Sequence, residues 1–137
     1  GNADHFYTTS VAEMYKAVKN IGYKAEPNAC YVYATQVGAT VPLYRAWSVS
    51  ACDHFYTTSL KERDNAVAKL GYANEGVAAY VFASQICDAI PLYRLYKPGS
   101  SRDHFYTTSF SERNRALNSH GYEDEGIACY VLPIPGF

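Results

Sequence analysis

The sequence predicts an α+β fold in which three tandem units, each one short helix plus three antiparallel strands, close into a pseudo-threefold, propeller-like ring. Three observations predict it. The hexapeptide Asp-His-Phe-Tyr-Thr-Thr begins at Asp4, Asp53 and Asp103, at spacings of 49 and 50 residues. Each copy is followed by a Ser-x-x-Glu helix start and a Gly-Tyr stop. Two copies then carry a Pro-Leu-Tyr-Arg segment. The chain reads as one domain, 1–137, of three units at about 4–52, 53–102 and 103–137.

The elements follow in order. Strand propensity in the hexapeptide comes from its aromatic and β-branched residues. Ser10/Glu13, Ser59/Glu62 and Ser109/Glu112 read as capping boxes, with each Glu reaching back to the amide of its Ser. Gly22, Gly71 and Gly121 stop the helices, leaving about eleven helical residues between signals. Their apolar stripes are Val11, Met14, Ala17, Val18 and Ile21, then Leu60, Ala66, Val67 and Leu70, then Phe110, Ala116 and Leu117.

Cys30–Tyr33, Ala79–Phe82 and Cys129–Leu132 read as short strands, and Pro42–Trp47 and Pro91–Tyr96 as a third kind. The polar linker Lys97–Ser101 folds the last of these back on the next hexapeptide as a hairpin. The third unit has no such strand, so Pro133–Phe137 is expected to close the ring with Asp4–Thr9 and to bring the termini together.

Composition narrows the function classes. The 137 residues carry a net charge of −1 with no basic run, which argues against nucleic acid and anionic membrane as partners. No stretch reaches the ~20 apolar residues of a membrane span, and no membrane insertion is expected. Four cysteines suit an extracellular, disulfide-bearing protein. Cys30 and Cys129 hold one repeat position and either bridge or stand as two small buried thiols. A bridge there leaves Cys52 to pair with Cys87.

Candidate chemistry recurs in each unit. The pairs Asp4/His5, Asp53/His54 and Asp103/His104 invite a catalytic or metal reading, but strand neighbours point to opposite faces, so an Asp does not orient its own His. No metal and no cofactor is expected. Glu26, Glu75 and Glu125 are either strand-entry acceptors or pocket residues. Arg45 and Arg94 stand between aromatics, placed to stack on rings or to pair with one of those carboxylates.

Three equivalent residue sets argue against an enzyme, and no nucleophile elbow, phosphate loop or HExxH occurs. Repeated weak sites suit avidity toward repeated ligands. Fourteen tyrosines supply rigid amphipathic rings for such recognition. The candidate ligand set is Asp4, His5, Tyr7, Glu26, Tyr44, Arg45, Trp47, Asp53, His54, Tyr56, Glu75, Tyr93, Arg94, Asp103, His104, Tyr106 and Glu125. Aromatic faces take sugar C–H groups, and the polar members take hydroxyls.

On Asp103–Thr108, Glu112, Gly121-Tyr122, Glu125-Gly126 and Pro91–Arg94, the chain resembles a tandem-repeat family of secreted bacterial and fungal proteins. That family is largely of undefined function, and its modules are often appended to enzymes acting on glycans or cell walls. The resemblance implies an accessory binding role, and a free-standing copy looks like a small fungal lectin. Two departures stand out: Pro27 replaces a family Gly, and the third copy reads Pro133-Ile134-Pro135-Gly136-Phe137 in place of the Tyr-Arg strand. The expected protein is a secreted lectin meeting glycans or glycoproteins at two or three pockets. A defence protein aimed at another protein and a cell-wall glycan hydrolase are the alternatives.

Overall fold

The computed structural model describes residues 5–17, 19, 30–99 and 102–134. Two three-stranded antiparallel sheets dominate it. The first contains β1 (Val41–Ser48), β2 (Asp53–Thr57) and β3 (Ala73–Val81), in the order β2-β1-β3. The second contains β4 (Ile90–Lys97), β5 (Asp103–Thr107) and β6 (Glu123–Val131), in the order β5-β4-β6. Three helices accompany them: α1 (Val11–Lys16), α2 (Leu60–Lys69) and α3 (Phe110–Ser119).

Each sheet crosses a repeat boundary, as the turn chemistry predicts. Arg45 lies opposite Tyr56 and Trp47 opposite His54, while Arg94 lies opposite Tyr106 and Tyr96 opposite His104. The closed ring of three sheets does not form. Among the described residues there are two sheets and no closed ring of strands. These 137 residues hold two Pro-Leu-Tyr-Arg segments, and each is the central strand of one sheet, so two sheets form. Residues 5–8 carry the hexapeptide sequence but lie outside any strand, and so do Pro133 and Ile134. Asp4 and the rest of the expected closing segment, 135–137, lie outside the described residues. So do Val18, Ile21, Gly22, Glu26 and Pro27.

Beyond the two sheets, the three copies also meet through side chains and single bridges. Tyr31 bridges Leu132, Tyr33 bridges Tyr80, and Phe82 bridges Tyr130. Tyr7, Tyr56 and Tyr106 meet edge to face, each ring centroid 5.4 Å from the other two. The Tyr56 hydroxyl accepts from the Tyr7 amide at 2.8 Å and donates to the Tyr7 carbonyl at 2.8 Å. Tyr106 treats the backbone of Tyr56 the same way at 2.8 and 3.0 Å, and Tyr7 that of Tyr106 at 3.1 and 3.2 Å. Each such bond contributes roughly 0.5–1.5 kcal/mol net. Around this cycle lies the main core, with Leu43, Val81, Leu92, Cys129 and Val131.

The helices differ from expectation on their buried face. Of the predicted stripe on α2, only Ala66 is buried, while Leu60, Val67 and Leu70 are exposed. Ala116 is its counterpart on α3. A methyl side chain lets the helix approach the rings of Phe55 and Tyr72, which pack with Ala66 and Ala46 in a second small cluster. The Gly71 and Gly121 stops are left-handed, with φ of 78° and 75°.

The strands carrying Glu75 and Glu125 also begin earlier than the sequence suggests. Both glutamates lie inside β3 and β6, where the pairing register shifts and Gly76 and Gly126 have φ of 80° and 84°. Past this irregularity Val77 and Ile127 turn outward, although they share strand parity with the buried pairs Ala79/Val81 and Cys129/Val131.

Candidate functional site

Each helix start departs from a simple capping box. The serine does its part: Ser10, Ser59 and Ser109 accept from the amides of Glu13, Glu62 and Glu112, each at 3.1 Å. The glutamates do not reach back to the serine amides, because a threonine stands between. The serine amides donate to Thr8, Thr57 and Thr107, whose hydroxyls donate to Glu13, Glu62 and Glu112 at 2.5, 2.6 and 2.5 Å. The first threonine of each Tyr-Thr-Thr-Ser-x-x-Glu run thereby fixes the carboxylate in one orientation.

In two copies an arginine meets that carboxylate. Arg94 donates to both Glu62 oxygens at 2.9 Å and from Nε to Glu125 at 2.9 Å, with its guanidinium 4.9 Å over the Phe55 ring. Arg45 repeats this with Glu13 at 3.1 and 2.9 Å, with Glu75 at 2.9 Å, and 5.0 Å over Phe6. Both arginines therefore do the two things their setting allows, stacking and pairing at once. Arg45 holds the Glu13 carboxyl below its ordinary value. Burial alone pushes Glu62 up, but its bonds to Arg94 and Thr57 outweigh that and leave it lowered.

A second chain of bonds runs between copies. Fully buried Asp53 accepts from the His104 amide at 2.8 Å, and its other oxygen meets His104 Nδ1 and the Tyr72 hydroxyl, each at 2.5 Å. Asp103 repeats the pattern with the His5 amide, His5 Nδ1 and Tyr122, at 3.2, 2.8 and 2.5 Å. An aspartate thus orients the histidine of a different copy and not its own neighbour. His104 Nε2 lies 3.4 Å from Glu125, and His54 Nε2 lies 3.6 Å from Glu75. Burial by itself lowers the His104 pKa, but the Asp53 and Glu125 carboxylates outweigh it and hold the ring above the ordinary histidine value. Burial and then Asp53 push the Tyr72 phenol well up.

The predicted residues thus fall into three places. Asp53, Asp103, His5, His54, His104, Glu75, Glu125, Arg45 and Arg94 join the internal chains of bonds. Tyr7, Tyr56 and Tyr106 form the central cycle, and Trp47 lies against the His54 ring at 4.4 Å. Tyr44 and Tyr93 stand apart on the outside of the sheets. Asp4 and Glu26 lie outside the described residues. Among those described, no group of three or more His, Cys, Asp or Glu could hold a metal ion.

Cys30, Cys87 and Cys129 are thiols here, so neither expected bridge is present. Cys30 packs against the core cluster containing Cys129. Burial pushes the Cys30 thiol up to about 11, and burial followed by Cys30 itself pushes Cys129 up to about 12. Cys52 and Cys87 both sit in turns with positive φ.

Two features escaped the sequence reading. Arg63 lies 4.9 Å over Tyr44 and donates to Asn74 at 3.2 Å. Arg113 lies 5.5 Å from the Tyr93 centroid and 5.4 Å from that of Phe110, and donates to Asp124 at 2.5 Å. The recurring Glu62-Arg63 and Glu112-Arg113 pairs carried that signal. The other is a cavity of about 340 Å³ beside α3, lined by His5, Lys97, Phe105, Glu112, Arg115 and Tyr122 among others.

Fold and site together define a small β-rich protein whose polar residues largely satisfy one another, leaving an aromatic–arginine surface outside. The chain belongs to the family described as a domain of unknown function (DUF5648), whose model matches residues 1–132. No curated protein and no solved structure matches the chain.

Proposed function

We propose that this protein is a secreted, non-enzymatic carbohydrate-binding module that takes glycans on two equivalent outer patches. The observation that carries the reading is the twice-built surface at Tyr44/Arg63/Asn74 and Tyr93/Arg113/Asp124. Val77 lies opposite Tyr44 and Ile127 opposite Tyr93, and the Phe110 ring centroid is 6.1 Å from that of Tyr93; all three side chains are exposed. Phe110 is 60% exposed, which is unusual for a ring with no role at the surface. A half-buried tyrosine with a guanidinium fixed across it offers an apolar face for sugar C–H groups and donors at its edge for hydroxyls.

Repetition matters because a single aromatic platform binds weakly. Two patches on one rigid body raise avidity toward a polymer without any new contact. The arginine–glutamate clamps and the tyrosine cycle act as scaffold in this reading and do not touch the ligand.

Glycan-array screening followed by titration calorimetry with the best oligosaccharide tests it. Two sites per chain are expected. Tyr44→Ala and Tyr93→Ala should each remove one site, and the double variant should lose binding while melting within a few degrees of the parent. Absence of any glycan ligand, cleavage of the glycan, or undiminished binding by the double variant sinks the reading.

A further inference from the structure

We infer that the glycan taken by the two outer patches is uncharged, because each patch balances its own arginine with one carboxylate. The inference rests on the carbohydrate reading above and narrows it to a ligand class. An exchange of side chains between the copies carries it. Arg63 donates from Nε to Asp64, the next residue on α2, at 2.8 Å, and from a terminal nitrogen to Asn74 on β3 at 3.2 Å. Arg113 donates to Asn114 on α3 at 2.7 Å and to Asp124 on β6 at 2.5 Å. The aspartate stands on the helix in one copy and on the strand in the other, with an asparagine at the remaining place. Each arginine therefore bonds two side-chain oxygens, and only one of them belongs to a carboxylate.

Backbone geometry does not require this exchange. Asn74 and Asp124 each accept from the amide two residues on, Gly76 and Gly126, at 2.9 Å, so amide and carboxylate serve the strand irregularity equally. What the exchange preserves is charge. Two aspartates would leave a patch negative, and two asparagines would leave it positive. The Gly126 amide, and after it Arg113, hold the Asp124 carboxyl below its ordinary value, so its charge is present at neutral pH.

The balance selects the ligand. A guanidinium carries five N–H donors, and each arginine spends two on these oxygens, which leaves donors for hydroxyl or acetamido groups. An acidic or sulfated glycan gains no net attraction there, because Asp64 and Asp124, 61% and 40% exposed, stand beside the guanidinium and repel it. A cationic glycan meets the arginine itself. Rejection of both signs is specificity built from repulsion, with the Tyr44 and Tyr93 faces supplying the attraction.

Three matched pairs of immobilised glycans, differing mainly in charge, test this with the intact protein. They are methyl-esterified and de-esterified galacturonan, hydroxyethyl- and carboxymethyl-cellulose, and chitin and chitosan oligomers. Interferometry reads binding at about 20 mM and about 500 mM NaCl, on either side of physiological ionic strength. In at least one pair the uncharged member should bind at least about tenfold more tightly, with salt changing its affinity less than about twofold. The double variant Asp64→Asn/Asp124→Asn puts at each place the residue type the other copy already carries, so it should melt within a few degrees of the parent. It should keep the uncharged ligand and gain at least about fivefold in affinity for the anionic partner at low salt, a gain lost at high salt. Preference of the parent for a charged member, equal binding of both members, or no gain by the double variant overturns the uncharged assignment while leaving glycan binding intact. Binding to none of the six overturns the carbohydrate reading, and this inference with it.

Discussion

The second and third copies share the Thr–Glu helix start but differ in whether an arginine meets the glutamate, and the difference shows what that side chain does. Where Arg94 is present, a phenylalanine is buried, a glutamate is shielded, and helix α2 is tied through Glu62 to strand β4. Where its counterpart is missing, the same phenylalanine and glutamate face a cavity. The threonine bond, the serine cap and the helix length are unchanged. The local helix start therefore stands without the arginine, whose contribution is to join helix to sheet and to cover the ring.

The largest test of this contrast lies one layer deeper. Asp53→Ala leaves His104 and the Tyr72 hydroxyl without their buried acceptor and should cost about 3–5 kcal/mol in denaturant unfolding. Asp103→Ala should cost less, about 2–3 kcal/mol, because the His5 side chain it serves is 29% exposed against 9% for His104. Equal losses would mean that burial does not set the difference between the copies.

Arg94→Ala comes next. It strands two carboxylates and uncovers Phe55, at about 2–3 kcal/mol, discounted from the fully buried case because the Glu62 side chain is 41% exposed. Glu112→Gln, at the position without an arginine, should stay below about 1 kcal/mol. Paired melting curves of the two variants check both values. A large loss for Glu112→Gln would show that the third carboxylate already carries a structural load.

The smallest effect is the dependence on pH. His104 is held above the ordinary histidine value, so its folded form binds a proton that the unfolded chain releases first. Its contribution is complete below the unfolded pKa near 6.5 and is lost as pH rises through the higher folded value. Stability should fall as pH rises from the unfolded value through the higher folded one, and His104→Gln should flatten that slope. His5, in the more open copy, serves as the comparison. A steeper slope in the variant would contradict the assignment of the proton to His104.

Much of the local structure is legible in the residues. Ser-x-x-Glu and the following Gly-Tyr mark α2 and α3 closely, and the linkers after Tyr96 and Trp47 mark the hairpins. What the residues do not reveal is long-range. Tyr56 and Tyr106 look like recognition residues because their type is common at interfaces, yet their hydroxyls exchange bonds with backbone some fifty residues away. Glu62 looks fully occupied by its cap, and only the folded chain shows Thr57 taking that place and freeing the carboxylate for Arg94. The expected ring failed for a similar reason. Each sheet takes its central strand from one copy and both edges from the next, so residues with two such central segments hold two sheets.

The tyrosine cycle carries a consequence for how the chain reaches this state. Its bonds span separations of 49, 50 and 99 positions, and the cycle cannot close until the first and third hexapeptides have met. Loop closure over such distances is costly, and slow folding accompanies contacts so remote in sequence. The centre of the molecule is therefore expected to lock last, after the hairpins have formed, and a fragment holding only two hexapeptides would stop short of it.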